Sequence, residues 1–292
     1  MPQGTKTIQR RIKSVSNTKK ITKAMEMVSA AKMRKATSSV LATRPYSDLA
    51  WQVINRIKKA GRHPLFMKSK TKTAKALLIL ISSDRGLCGG FNSQLFREIK
   101  SFIGSNRPDT IILGKKGERF AAREKMNVTA VFENLTNNPK FVDIKPIAKI
   151  AMEKFIKGDY TKVFVAYTDY KSTLVQKPRV KQLLPIKADK ELGAVSGKQP
   201  AVSSQQSVRY IFEPQGSKLL EIIVPKIVET QIFQAVLESV ASEHSARMVA
   251  MRNATDAAND MVNDLKFTFN KIRQASITRE ISEISAGKAA LE

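Results

Sequence analysis

The segment with the clearest potential for chemistry runs from Ser82 to Asn92 and reads SSDRGLCGGFN. This glycine-rich turn follows a strand-like apolar run, and its backbone amides could bind phosphate. The alternative is a tight connection that needs small residues and positive φ. None of the three Gly-Lys pairs in the chain is followed by Ser or Thr, as a P-loop requires, and the turn lacks the GxGxxG spacing. We therefore favour the structural role and expect no nucleotide hydrolysis and no bound cofactor.

Nucleophilic and metal chemistry have few candidate residues. The chain has one cysteine, Cys88, and two histidines, His63 and His244, so no zinc-type ligand set is available. A Cys–His pair is conceivable, but no family-type motif surrounds these residues, and a small buried thiol is the commoner role. A lone cysteine forms no internal disulfide, which favours a reducing compartment. The sequence predicts no catalytic residue and no metal site.

Charge is the dominant feature of the composition. There are 51 Lys and Arg against 25 Asp and Glu, a net charge of +26, which indicates acidic partners. Residues 1–60 hold 14 basic and two acidic side chains. Three readings of this basic end remain open on composition: nucleic acid binding, contact with an acidic protein surface, and a solvated face. No aromatic residue lies among these charges before Tyr46, so base stacking is not provided there.

Two long runs without proline or glycine must position these charges. Thr5–Arg44 and Lys226–Ala286 would span roughly 60 and 90 Å as helices, at about 1.5 Å per residue. A second helical stretch follows Pro45, and Pro225 fits the first helical residue or a kink. The longer run exceeds what a compact domain of this size can enclose. It must protrude or wrap around something.

A seven-residue repeat in the distal run predicts a coiled coil. One seam position is occupied by Leu237, His244, Met251, Ala258, Leu265 and Ile272. The other is occupied by Val240, Arg247, Ala254, Met261, Thr268 and Ala275, and the neighbouring positions Met248, Val262 and Phe269 widen the apolar stripe. An arginine on an apolar seam is costly unless a carboxylate meets it, so we expect Arg247 to have such a partner.

The interior predicts a separate α/β domain. Strand candidates are 76–81, 110–113, 128–132 and 162–167, and helical spacing is found at 91–103, 118–125 and 141–156. This alternation indicates a parallel, doubly wound sheet. Residues 193–207 are rich in Gly, Ser and Gln and are predicted to form a mobile loop. No apolar run reaches the roughly 18 residues of a membrane-spanning helix.

Four strings connect these features to a known family. They are ITKAMEMVSAAKMRK from Ile21, SDRGLCGG from Ser83, ASEHSARMVAM from Ala241 and NKIRQASITREISEI from Asn270. Together they closely resemble the gamma subunit of the rotary F-type ATP synthase, over nearly the whole chain. Met1–Lys35 has the composition of a mitochondrial presequence, but the resemblance begins within the first ten residues, so we expect no removable leader. It favours a bacterial source without the regulatory cysteine pair of the chloroplast form.

The resemblance implies a fold and a function. The expected fold is α/β, with a long antiparallel two-helix coiled coil formed by the N- and C-terminal helices plus a Rossmann-like α/β domain. The expected divisions are 1–60 and 216–292 for the coiled-coil helices and 61–215 for the foot domain. The chain would be the non-catalytic rotor shaft that couples transmembrane proton flow to ATP synthesis or hydrolysis and regulates ATPase activity. The alternatives are a basic coiled-coil nucleic-acid-binding protein and a nucleotide-binding enzyme.

The resemblance also implies partners and contact residues. The partners would be the alpha and beta subunits of the catalytic hexamer, the epsilon subunit and the membrane c-ring, with no nucleic acid. The chain would lie at the cytoplasmic face of the bacterial plasma membrane, associated only through the complex. The implied rotor–stator contacts are Lys23, Met25, Lys32, Arg34, Lys35, Arg247, Gln274, Thr278 and Glu280.

Overall fold

The computed structural model describes residues 3–60, 75–104, 107–186 and 217–289. These residues form two compact units. One combines Met1–Ala31 with Arg247–Glu292, and the other is Lys32–Ala246. Both boundaries fall inside long helices, so the division into 1–60, 61–215 and 216–292 stays a prediction. His63 and the expected loop at 193–207 lie outside the described residues.

The first and last helices are the longest elements. Helix α1 runs from Gln3 to Ala60 and helix α5 from Ser217 to Ala289, which confirms the two long terminal helices. Pro45 lies inside α1, so the predicted second helical stretch continues the first, and Pro225 lies eight residues after α5 begins, so it is not the first helical residue. A proline removes one backbone donor, and packing supplies most helical stability in proteins, so well-packed helices continue through it.

Packing around Pro45 supports this explanation. On one side of the proline, the hydroxyl of Thr43 donates to Oε1 of Gln234 at 2.7 Å. On the other side, Nε2 of Gln231 donates to the hydroxyl of Ser47 at 2.8 Å. The helix is therefore held to α5 by hydrogen bonds both before and after the break in its own ladder. The two pairs also run in opposite directions along the chain, so the helices are antiparallel here.

A five-stranded sheet forms the centre of the Lys32–Ala246 unit. Its strands are β1 (Ala76–Ile81), β2 (Asp109–Leu113), β3 (Val128–Phe132), β4 (Lys162–Tyr170) and β5 (Gln176–Leu184). The order is β3-β2-β1-β4-β5, with the first four strands parallel and β5 antiparallel to β4. The prediction of a purely parallel sheet is therefore wrong at this edge. Strand β5 reads QKPRVKQLL, and such charge and proline suit an exposed edge strand but hide the apolar alternation.

Three shorter helices cover the sheet. Helices α2 (Phe91–Ile103), α3 (Lys115–Arg123) and α4 (Phe141–Lys157) follow β1, β2 and β3 in turn. Helix α3 begins three residues earlier than the predicted 118–125. Side chains on one face of β1, such as Leu78 and Leu80, pack with α2 and α3, whereas Leu77, Ile79 and Ile81 pack with α4 and the long helices. The doubly wound arrangement of the sheet is thus confirmed.

The seam of the Met1–Ala31 and Arg247–Glu292 unit differs from the predicted one. From Met251 onward, its buried and half-buried positions on α5 are Met251, Ala254, Thr255, Ala258, Asn259, Val262, Leu265, Phe269, Ile272 and Ser276. The first predicted seam position is correct; the second is correct as far as Ala254 and is shifted by one residue beyond it, where Met261, Thr268 and Ala275 are exposed. Val262 is 8% exposed, whereas Met261, which the sequence favoured, is 51% exposed. In a heptad, the two seam positions can be spaced by three and then four residues or by four and then three. The frame seen in the structure contains the polar Thr255, which is why the sequence favours the other frame.

Candidate functional site

Hydrogen bonds between residues of the glycine-rich turn stabilise its conformation. Nδ2 of Asn92 donates to the hydroxyl of Ser83 at 2.7 Å and contacts Sγ of Cys88 at 3.3 Å. Oδ1 of Asn92 accepts the backbone N–H of Ser83 at 3.2 Å. Cys88 is buried. The thiol therefore packs under the turn as a small apolar group, in agreement with the structural role.

Glycines at the start of α3 bring that helix against the end of β1. The N–H of Gly117 donates to the hydroxyl of Ser82 at 2.7 Å, and a Cβ at Gly117 would overlap that oxygen. Gly114 has φ of 95°, and a Cβ there would collide with the Ser82 carbonyl. This close approach places Lys116 next to the turn. A Cβ built on Gly86 would lie 3.8 Å from Nζ of Lys116.

No metal centre is found in the part of the chain that the structure describes, because no three His, Cys, Asp or Glu side chains are grouped suitably there. His244 is buried within α5 and has interactions of its own. Among the described helices, none is long and apolar enough to cross a membrane.

The candidate contact residues of α1 form a basic, exposed stretch. The four exposed cations are Lys23, Lys32, Arg34 and Lys35. Lys23 pairs with Glu26 at 3.1 Å, one turn further along the helix. Met25 is half-buried. An exposed i,i+3 pair contributes only a few tenths of a kcal/mol, so these charges remain available to a partner.

The candidates on α5 do not form one site. Arg247 is 7% exposed and has interactions within the chain, whereas Gln274, Thr278 and Glu280 are exposed. Arg247 and Gln274 are separated by roughly 40 Å along the helix, at about 1.5 Å per residue. The two positions can therefore serve one partner only if that partner is itself extended along α5.

Sequence reasoning missed an apolar surface near the end of α5. Nζ of Lys19 donates to Oδ1 of Asn259 at 2.6 Å, which fixes the pairing of the two helices in this unit. From this pair, α1 continues for sixteen residues to Gln3 and α5 for thirty to Ala289. Helix α5 therefore extends past the described residues of α1 for about 14 residues, or roughly 21 Å.

This overhang has apolar side chains on one face. Ile277, Ile281 and Ile284 are all exposed, and their spacing of four and three residues places them on the same side of the helix. In the sequence, these isoleucines continue the helical period of the seam. They therefore read as further seam positions and not as an exposed surface. A row of isoleucines without a covering helix indicates a surface that another protein covers.

A buried polar cluster ties the long helices to the sheet in the Lys32–Ala246 unit. Nη2 of Arg44 donates to Oε1 of Glu238 at 3.2 Å, and Nε2 of Gln234 donates to the same oxygen at 3.0 Å. Arg44 also reaches the carbonyl of Tyr170 in β4 at 3.4 Å. Burial raises the pKa of Glu238, and the neighbouring carboxylate of Asp169 raises it further, while Gln234 and Arg44 act against the shift.

Comparison with known proteins gives the class first. The profile described as ATP synthase matches residues 4–291. The ATP synthase gamma chain of Chloroflexus aurantiacus is 43% identical over 293 residues, covering 97% of each chain. That of Herpetosiphon aurantiacus is 44% identical over 299 residues, again covering 97% of each. The chain therefore belongs to the ATP synthase gamma chain family.

Solved structures agree on the fold. The rotor of the Euglena gracilis mitochondrial ATP synthase superimposes with a TM-score of 0.65 at 19% identity, covering 95% of this chain and 100% of that one. The central stalk and c-ring structure from Tetrahymena thermophila gives 0.58 at 24% identity, covering 80% and 99%. At these identities the likeness establishes the architecture of long helices and sheet domain.

Proposed function

We propose that this chain is the rotating central shaft of a proton-driven bacterial ATP synthase. It couples transmembrane proton flow to ATP synthesis and hydrolysis at catalytic sites on other subunits, and it regulates their ATPase activity. Family membership and the fold support this assignment. The observation that supports it most directly is the overhang of α5, because an unpaired helix with an isoleucine face requires an enclosing partner.

The proposed partners divide between the two compact units of the chain. The alpha and beta subunits enclose the helical unit, and the epsilon subunit and the c-ring bind the sheet domain. The chain then lies at the cytoplasmic face of the plasma membrane, held there by the complex. The long helix without a membrane-spanning segment is consistent with that position.

The mechanism we propose uses contacts rather than catalytic groups. Three chemically identical sites surround one asymmetric shaft, so each site meets a different face of it. Differences in contact free energy then bias each site toward a different state, and rotation exchanges those states in turn. No acid, base or nucleophile on this chain takes part.

Two groups of exposed residues supply these contacts. The cations Lys23, Lys32, Arg34 and Lys35, together with Met25, face acidic loops of the catalytic subunits. Gln274, Thr278 and Glu280 bond to loops nearer the tip of α5. Arg247 belongs to the proposed set through its position, but its burial means that a substitution acts first on the chain itself.

The test uses the assembled complex. The chain is co-expressed with the alpha, beta and epsilon subunits and the membrane sector, and proton pumping per ATP hydrolysed is measured in vesicles. Replacing Ile277, Ile281 and Ile284 together by Asn should lower this ratio at least about twofold, because polar side chains lose the apolar contact with the enclosing subunits. Arg279→Gln with Glu283→Gln, on the same overhang, is the matched control.

Two results would reject the assignment. One is unchanged coupling in the triple variant. The other is failure of the wild-type chain to assemble with these subunits while it is retained on nucleic acid at physiological salt, which would favour the basic coiled-coil alternative.

A further inference from the structure

A basic cleft lies on the face of the sheet that is covered by α2 and α3. Its volume is about 630 Å³, within the range of roughly 300–1,000 Å³ typical of small-molecule sites. Five cations line it, and no carboxylate does. They are Arg97 and Lys100 from α2 and Lys116, Arg119 and Arg123 from α3. The cleft lies wholly within the Lys32–Ala246 unit.

The positive charge is not uniform along this cleft. At the end farthest from the glycine-rich turn, Glu124 pairs with Lys100 at 2.7 Å and with Arg123 at 3.4 Å. Lys100 lowers the pKa of Glu124, followed by Arg123, so this carboxyl group is ionised at neutral pH. At the far end, one carboxylate of the chain therefore offsets one of the two positive charges.

The remaining three cations have no such partner in the described chain. Arg97, Lys116 and Arg119 form no ion pair or side-chain hydrogen bond among the described residues. Lys115, next to Lys116 in sequence, points elsewhere and pairs with Glu133 at 2.9 Å. The unneutralised charge is thus concentrated between the turn and the middle of the cleft, where Lys116 lies beside Gly86.

Aromatic rings form one wall of the same cleft. Phe96 from α2 stacks on Phe120 from α3, with ring centroids 4.2 Å apart and planes within 5°. Phe120 is buried and Phe96 is half-buried, so Phe96 presents the accessible part of this wall. Leu87, exposed at the rim, lies in the left-handed region with φ of 62°. A ligand with a planar apolar part and a charged part finds both surfaces here.

We propose that this cleft binds the polyphosphate group of a nucleoside di- or triphosphate, with the base against the Phe96 wall. Three neighbouring cations match a compact, multiply charged anion. An acidic helix would instead place its carboxylates along the whole groove, including the end that Glu124 already occupies. Helix α2 also begins within the turn, so its positive dipole end lies on the same side as the unpaired cations, whereas the first N–H groups of α3 already donate to Asp84, Ser83 and Ser82.

The site is a ligand site and not a hydrolytic one. The turn lacks the P-loop lysine and hydroxyl that position a terminal phosphate and its metal ion. From the sequence alone a structural role of the turn is favoured and no bound cofactor is expected, because the cations of the cleft come from two separate helices. The inference does not depend on the rotor assignment, since the binding surface is complete within this chain.

Calorimetry on the isolated full-length chain tests the proposal, with ADP, ATP and inorganic pyrophosphate as probes. Saturable binding of one ADP per chain, displaced by pyrophosphate, is expected. Lys116→Gln with Arg119→Gln should weaken ADP binding about tenfold or more, because two charge-assisted contacts are lost. Neither side chain takes part in a hydrogen bond of the described fold, so the variant should remain folded by circular dichroism.

The matched control removes two lysines from α4, on the other face of the sheet, as Lys149→Gln with Lys157→Gln. It has the same net charge as the test variant, and its ADP affinity should change less than twofold. Equal weakening in both variants would show non-specific attraction and overturn the proposal. So would a lack of saturable ADP binding, or failure of pyrophosphate to compete; binding of an acidic peptide without ADP would assign the cleft to a protein partner.

Discussion

Thr22 of α1 and Thr255 of α5 face each other across the buried seam, and the hydroxyl of Thr255 donates to Oγ1 of Thr22 at 2.8 Å. Thr22 in turn donates to the carbonyl of Lys19 at 3.0 Å. Both threonines are buried. A hydroxyl pair therefore occupies a seam position where an apolar residue would be expected, and it fixes the register of the two helices.

Valine substitutions at this pair should show coupling. Each hydroxyl also has a backbone carbonyl within reach, that of Met251 at 2.8 Å for Thr255 and that of Lys19 at 3.0 Å for Thr22, so Thr22→Val or Thr255→Val alone should cost up to about 1 kcal/mol in the free energy of unfolding. The double variant replaces both hydroxyls by methyl groups of the same shape, so its cost should be well below the sum of the two.

Denaturant unfolding of the four proteins in a double-mutant cycle measures this coupling. Thr268→Val is the control, because Thr268 is exposed on the same helix and should change the stability by less than about 0.5 kcal/mol. Strict additivity of the two single changes would show that the hydroxyls do not interact.

The frame of the seam leads to a second prediction. Val262→Ala should destabilise the chain by about 1–2 kcal/mol, because a buried side chain loses two methyl groups. Met261→Ala, at the neighbouring exposed position, should change the stability by less than about 0.5 kcal/mol. Thermal or denaturant unfolding distinguishes them. A larger effect at Met261 would restore the frame that the sequence favoured.

The sequence predicted long-range architecture better than local choices. Runs without proline or glycine located both long helices, and apolar runs located four of the strands, because these signals extend over many residues. Strand β5 was missed because its exposed face is charged and its strand conformation depends on antiparallel pairing with β4. Pro45 looks like a helix boundary in the sequence, but Thr43 donates a hydrogen bond to α5 and Ser47 accepts one from it, which hold the helix in place there.

The proposed contact surface combines residues from the resemblance with residues from the structure. Resemblance identified polar residues such as Gln274 and Glu280, which the structure leaves exposed. It did not single out Ile277, Ile281 and Ile284, because a continuing helical period does not reveal where the partner helix ends. The cluster of Arg44 and Glu238 was equally hidden, since the two residues are 194 positions apart in sequence. Both features depend on pairing between distant segments.

Burial separates Arg247 from the other proposed contact residues. Arg247→Ala should lower the melting temperature of the isolated chain, since removing a buried cation that has partners typically costs about 1–3 kcal/mol. Glu280→Ala should leave that temperature unchanged but reduce ATP-driven proton pumping in the assembled complex. Scanning calorimetry of the chain and vesicle pumping assays measure the two effects. A stable Arg247→Ala chain that fails only in the complex would assign Arg247 to an intersubunit contact instead.

The pKa of Glu238 predicts how stability depends on pH. Because burial and Asp169 raise this pKa above its ordinary value of 4.5, the folded state holds the proton more tightly than the unfolded state does. The resulting stabilisation is fully present below about pH 4.5 and is lost as the pH rises through the folded pKa. Glu238→Gln keeps an acceptor for Gln234 but cannot titrate, so it should remove this component. Unfolding free energies measured between pH 4.5 and 8 should therefore fall less steeply in Glu238→Gln than in the wild type.

Glu153→Gln provides the control for this pH profile, because Glu153 is an exposed carboxylate on α4 that pairs with Lys149 at 3.8 Å. Its profile should follow the wild type, since an exposed ion pair of this kind contributes little to stability. If Glu238→Gln and Glu153→Gln gave the same slope, the titration of Glu238 would not govern the stability of the cluster. Glu238 would then stay ionised over the whole pH range through its contact with Arg44. The ion pair, and not protonation of Glu238, would stabilise the contact between α1 and α5.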